Sequence, residues 1–113
     1  MNASGRCEWT ELEAATAVYF ASRDSDIFAI ARLLQHRGHN RSAYATHYKL
    51  QRIRRLNPKL KGNGRNTWDK EAVDSWLLNL LSLSEVEHMT ALREEEESLI
   101  NEVSHLYTCG FWH

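Results

Sequence analysis

The chain has 113 residues, enough for one domain with a real core and too few for two large ones, and its 42% apolar content with a single Pro argues for a folded chain. The net charge of −1 by itself points to no highly charged partner, and two distant cysteines, Cys7 and Cys109, make no disulfide framework and suit a reducing compartment. No run approaches the roughly 18 apolar residues of a membrane span and the first residues lack the apolar segment of a secretory signal, so a soluble intracellular protein without membrane contact is expected.

The charge is unevenly placed. Residues 27 to 68 hold ten Lys or Arg and no acid, whereas residues 69 to 113 hold ten Asp or Glu and only Lys70 and Arg93 as cations. Such an asymmetry indicates a basic surface and a separate acidic one, or two halves that neutralise each other inside one fold.

A first helix opens at Trp9-Thr10-Glu11-Leu12-Glu13, where Thr10 and Glu13 have capping-box spacing, and it should end near Ser22 or Arg23. Leu12, Ala15, Thr16, Tyr19 and Phe20 would form its inner face. Asp24-Ser25-Asp26 caps a second helix with Ile27, Ile30, Ala31 and Leu34 as its buried stripe, stopped at Gly38. After the turn His39-Asn40-Arg41, a third helix, capped by Ser42 or Asn40, runs from about Ser42 to Leu56, bounded by Asn57-Pro58. Ala43, Thr46, Leu50 and Ile53 should face inward. Tyr44, His47, Tyr48, Gln51, Arg52 and Arg55 should then face outward. A solvated face would mix Glu with Lys; this one carries cations, aromatics and amides, the residue types that contact phosphates and base edges. An apolar helix, a Gly turn and a basic helix together read as a helix-turn-helix.

Lys59 to Asn66 is basic and rich in Gly and Asn, either a flexible linker or a basic arm touching phosphate or the minor groove. A fourth helix should begin near Thr67 or Trp68, with Asp69 and Glu71 in its first turn, and close the three-helix core through Val73, Trp76, Leu77 and Leu80. Ser84-Glu85-Val86-Glu87 reads as a capping box for a long fifth helix to about Tyr107. Along it Met89, Leu92, Leu99, Val103 and Leu106 recur at 3–4 spacing, with Glu96 in the seam position. Two readings stay open: this helix pairs with a second copy or a partner's helix, or it folds back on the domain. A further option is that Glu94 to Glu97 cover the basic third helix. In the tail, His105, Cys109 and His113 lie four apart, but Gly110 interrupts them and no Cys-x-x-Cys pair is present, so no metal or other cofactor is expected. Phe111-Trp112 would form a packing or partner patch.

No phosphate loop, His-Glu-x-x-His or nucleophile elbow occurs, and the six His are scattered, so neither an enzyme nor a small-molecule substrate is expected.

Residues 9 to 56 resemble a Myb/SANT repeat of the homeodomain-like class. Trp9-Thr10-Glu11 is similar to the family's opening Trp motif, Ile27 stands at its second Trp position before Ile30-Ala31, and Leu50 stands at the third. Arg41-Ser42, Ala45-Thr46 and Lys49-Leu50 resemble the entry to its third helix. Two of the three Trp are thus aliphatic here, and the connection from Leu34 to Arg41 is longer than in the family. The resemblance implies three helices spaced by bulky residues, a third helix that reads DNA, and base-reading positions at His47, Tyr48 and Gln51. SANT-type members bind histone tails or other proteins instead, and tend to carry a more acidic third helix.

The resulting expectation is an all-α protein with a homeodomain-like three-helix helix-turn-helix core (9–56), a bracing helix (67–81) completing a 9–81 domain, an acidic amphipathic helix (84–107) and a tail (108–113). It would bind double-stranded DNA in the nucleus, in transcriptional or chromatin regulation. The contacts would come from Arg41, Tyr44, His47, Tyr48, Lys49, Gln51, Arg52 and Arg55, then Lys59, Lys61 and Arg65. The alternative is a SANT-type protein-interaction module. There Met89, Leu92, Leu99, Val103 and Leu106 would join a homodimer or a helical partner.

Overall fold

A central helix, α1 (Glu11–Ser22), organises the molecule. The computed structural model describes residues 8 to 64 and 67 to 108, with side chains described as far as Asn101. Around α1 stand α2 (Ile27–His36), α3 (Ala43–Leu56), α4 (Lys70–Leu80) and α5 (Leu83–Thr90), while α6 (Glu94–Thr108) lies along α2. A short 3-10 turn, Pro58–Leu60, follows α3. The described residues form helices and no strand; Lys61 and Trp68 make one isolated antiparallel bridge.

α1 is buried on nearly every side, not along the single stripe its spacing suggests. Ala14, Ala15, Ala17, Val18 and Phe20 are all buried, while Leu12 is exposed. The run Ala-Ala-Thr-Ala lets neighbours approach from several directions, which suits a helix with little solvent face. Its start is the expected box: Thr10 Oγ1 accepts from the Glu13 N–H at 3.1 Å and Glu13 Oε1 accepts from the Thr10 N–H at 3.1 Å. Ile30, Leu33 and Leu34 of α2 seal against it, each contributing about 1.5–3 kcal/mol by burial. Thr16 and Thr46 are buried with their hydroxyls donating to the carbonyls of Leu12 and Ser42, so neither leaves an unmet polar group.

Both connections out of α1 and α2 use the same end geometry. At α2, Gly38 takes φ 90°, its N–H bonds the Gln35 carbonyl at 3.0 Å and the His39 N–H bonds the Leu34 carbonyl at 2.8 Å. At α1, Asp24 occupies the same position with φ 68°, and the Ser25 N–H reaches the Phe20 carbonyl at 3.0 Å. This two-bond closure is the Schellman arrangement that glycine favours. Asp26 caps α2 as expected, and of the two candidates for α3 Ser42 is the cap.

The C-terminal part departs from expectation in two ways. The capping box sits at Ser82 and Glu85, two residues before the expected Ser84 and Glu87. Two overlapping boxes compete in Ser-Leu-Ser-Glu-Val-Glu, and the buried Leu81 just after α4 selects the earlier one. The single long helix is also broken at residues 91–93. Neither Gly nor Pro breaks it. Arg37, just past the end of α2, does: its Nη1 donates to the Met89 carbonyl at 2.8 Å and its Nη2 to the Ala91 carbonyl at 3.0 Å. The Arg93 N–H turns to Glu96 Oε1 at 3.0 Å, so the bonds that would continue the helix are replaced by tertiary ones.

Candidate nucleic-acid interface

Geometry at the start of α3 fixes its direction. Glu13 is buried, and Arg41 meets it with Nε at 2.7 Å from Oε2 and Nη2 at 3.1 Å from Oε1. The same guanidinium stacks over Trp9 at 4.5 Å and donates to the Glu8 carbonyl at 3.0 Å. His39 Nδ1 lies 3.6 Å from Glu13, and Gln35 Nε2 donates to the Arg41 carbonyl at 3.0 Å. Burial pushes the Glu13 carboxyl up, but the bonds from Arg41 and the Thr10 N–H, with the charges of Arg41 and His39, outweigh it and hold the group below its ordinary value. The turn between α2 and α3 is thus tied to α1 by a charged cluster. Arg41, expected among the DNA contacts, is committed to that cluster instead.

Beyond Ser42 the two faces of α3 divide as expected. Thr46, Leu50 and Ile53 are buried, and Ala43 is half-buried. Tyr44 is 79% exposed and Tyr48 61%, and His47, Gln51, Arg52 and Arg55 are exposed with them. Lys49 is half-buried beside this face. From Tyr44 to Arg55 the face spans about 16 Å at 1.5 Å per residue, enough to follow a major groove about 12 Å wide. No acid lies anywhere in α3.

Past α3 the described residues on both sides of 65–66 are tied by hydrogen bonds. Leu60 is completely buried and its carbonyl accepts from the Asp69 N–H at 2.8 Å. The loop from Lys61 closes on itself: the Gly62 N–H donates to the Thr67 carbonyl at 3.0 Å and the Gly64 N–H to Thr67 Oγ1 at 2.9 Å. A Cβ on residue 62 would meet Thr67 Oγ1 at 2.5 Å, so this approach requires glycine. Lys59 and Lys61 are exposed at its base; Arg65 lies outside the described residues.

One residue of this region was not among the expected contacts. Arg54 is buried, 9% exposed, with its guanidinium 5.1 Å above the Trp68 ring. A signal existed, since Arg54 is four residues after the buried Leu50 on the same helix.

The residues expected to hold a partner are turned inward where they are described. Met89 is buried in the core, Leu92 packs against it, and Leu99 is half-buried. The side chains of Val103 and Leu106 lie outside the described residues, as do Cys109 to His113 and the side chain of His105. Glu96, expected in a coiled-coil seam, is 3% exposed and clasped by Arg37 at 2.8 and 3.1 Å. Those bonds from Arg37 hold its carboxyl down to about 2, against the opposing effect of burial and with help from the Arg93 N–H. α6 therefore folds back on α2, and among the described residues it makes no contact with α3. The acidic run does not cover the basic helix.

No protein-family model, curated protein or solved structure matches this chain.

Proposed function

We propose that the chain is a DNA-binding domain, with α1 to α3 as a homeodomain-like tri-helix core and the outer face of α3 in the major groove. The observation that carries this reading is the acid-free exposed face of Tyr44, His47, Tyr48, Gln51, Arg52 and Arg55. Arg52 and Arg55 neutralise phosphates or reach guanines, Gln51 and His47 bond base edges, and the tyrosine hydroxyls bond phosphate. The tied turn at Gly38 to Ser42 holds the helix in one orientation, so little ordering is left for the moment of binding. A nuclear role in transcriptional or chromatin control follows from this assignment. The test is replacement of Arg52 and Arg55 by Ala: duplex affinity should fall, and the slope of log affinity against log salt should flatten by about two. Unchanged binding would remove α3 as the interface.

A second reading, an interaction module for another protein, is favoured by the exposed Glu94, Glu95 and Glu97 at the start of α6. That surface would take a basic segment of a partner. Replacing the exposed Glu94, Glu95 and Glu97 by Gln would abolish it and leave duplex binding in place.

A further inference from the structure

A groove of about 590 Å³ runs between the second half of α3 and the loop after it, lined by Gln51, Arg54, Arg55, Lys61 and residues 62–64. We infer that this groove is a phosphate site, and that its occupant is a backbone phosphodiester of bound nucleic acid. The inference rests on the DNA-binding reading and assigns to it a contact that the outer face of α3 does not include.

Arg54 is the central observation. An arginine that is nine-tenths buried normally turns its guanidinium to a carboxylate or backbone carbonyls. Arg37 and Arg41 of this same chain do so. Arg54 makes no ion pair and no hydrogen bond with any described residue; its one contact of this kind is the Trp68 ring. An aromatic ring offers a π face and no acceptor lone pair, so none of the described residues accepts from the guanidinium's five N–H donors, and they face whatever fills the groove. Two more cations, Arg55 and Lys61, line the same space, and no acid does.

The end of α3 explains part of this charge, because cations stabilise the last turn of a helix. It does not explain Lys61. That residue is brought alongside by its bridge to Trp68, the residue on which Arg54 stacks. The loop is held by Thr67 and by the close approach at Gly62, so the groove is built before any ligand arrives. Gln51 joins this groove to the outward face of α3, which places the phosphate beside the bases that face would read. Planar, multidentate donors with nearby point charges are what a phosphodiester oxygen pair binds.

The experiment has two arms on the whole chain. In the first, affinity for a duplex oligonucleotide is measured across salt for the native chain, for Lys61→Gln and for Arg54→Gln. Thermal melts of each variant report folding, and Lys61→Gln removes an exposed side chain that the core does not use. In the second, inorganic phosphate is titrated against chloride at equal ionic strength while the amide signals of residues 62 to 64 and the Arg54 side-chain N–H are followed by NMR. The inference expects each variant to reduce the salt slope by about one, and phosphate but not chloride to shift the groove signals. Duplex binding with unchanged slopes and no phosphate shifts would overturn the groove and leave the α3 face standing. Phosphate shifts without duplex binding would uphold the groove and overturn the DNA-binding reading. Neither effect would overturn both.

Discussion

Arg37 and Arg41 differ from Arg52 and Arg55 in everything except side-chain chemistry. The first pair flanks the turn between α2 and α3 and ties it to distant elements: Arg37 clasps Glu96 and two carbonyls of the α5–α6 break, and Arg41 clasps Glu13 under Trp9. The second pair stands in solvent on a helix without acids. One basic block in sequence is therefore two regions in space, one holding the fold and one facing outward. Positive charge in a sequence says little about a binding surface until each cation's carboxylate is located, and those carboxylates lie 28 and 59 residues away.

The largest test of this contrast is Arg37→Ala. It strands a buried carboxylate and two carbonyls, and should lower stability by about 3–5 kcal/mol in denaturant or thermal unfolding. Replacing Arg37 and Glu96 together by apolar residues of similar size should recover most of that loss, because the pair's desolvation disappears with it. A single variant as stable as the native chain would show that the clasp does not hold α6.

Acid gives the next effect. The Glu96 carboxyl is lowered in the folded state to about 2 from an ordinary 4.5. A depressed folded value means the unfolded chain takes up the proton first. The stabilisation is thus complete above about pH 4.5 and is lost as pH falls toward 2, by at most on the order of 3 kcal/mol. Glu13 shifts in the same direction. A stability profile flat through that window in the native chain, or one equally steep in Glu96→Gln, would remove Glu96 as the source.

A smaller comparison lies in the two helix ends. Gly38 and Asp24 fill equivalent positions with φ of 90° and 68°. Only the second carries a side chain there, so Asp24→Gly should stabilise the protein by about 1 kcal/mol, read as a raised midpoint of unfolding. The smallest stability effect belongs to the outward arginines: Arg52→Ala and Arg55→Ala should each stay within about 0.5 kcal/mol of the native chain. A large destabilisation by either would mean that the outer face of α3 is structural after all.

Local chemistry was legible in the sequence. The Thr10–Glu13 box, the caps at Asp26 and Ser42, the stop at Gly38 and the division of α3 into two faces all involve residues within four positions of each other. Long-range chemistry was not. Nothing in Met89 to Arg93 forbids a helix; the break exists because Arg37, 52 and 54 residues away, takes the carbonyls of Met89 and Ala91. Arg41 reads as an exposed turn cation until the capping acid Glu13 is seen to serve a second role as its partner. Arg54 sat in an inward register that spacing alone allowed, but its acid-free surroundings depend on a loop closure set by Gly62 and Thr67. The stripe from Met89 to Leu99 was visible, whereas its partner within the same chain was not.

The most direct measurement is duplex DNA binding across a salt series by fluorescence anisotropy, comparing the native chain with the Arg52→Ala, Arg55→Ala double variant. A steep, near-linear loss of log affinity with log salt is expected for the native chain, with a slope shallower by about two in the variant and an unchanged melt. No binding by the native chain at low salt, or identical slopes in the two proteins, would contradict the assignment of α3 as a nucleic-acid interface.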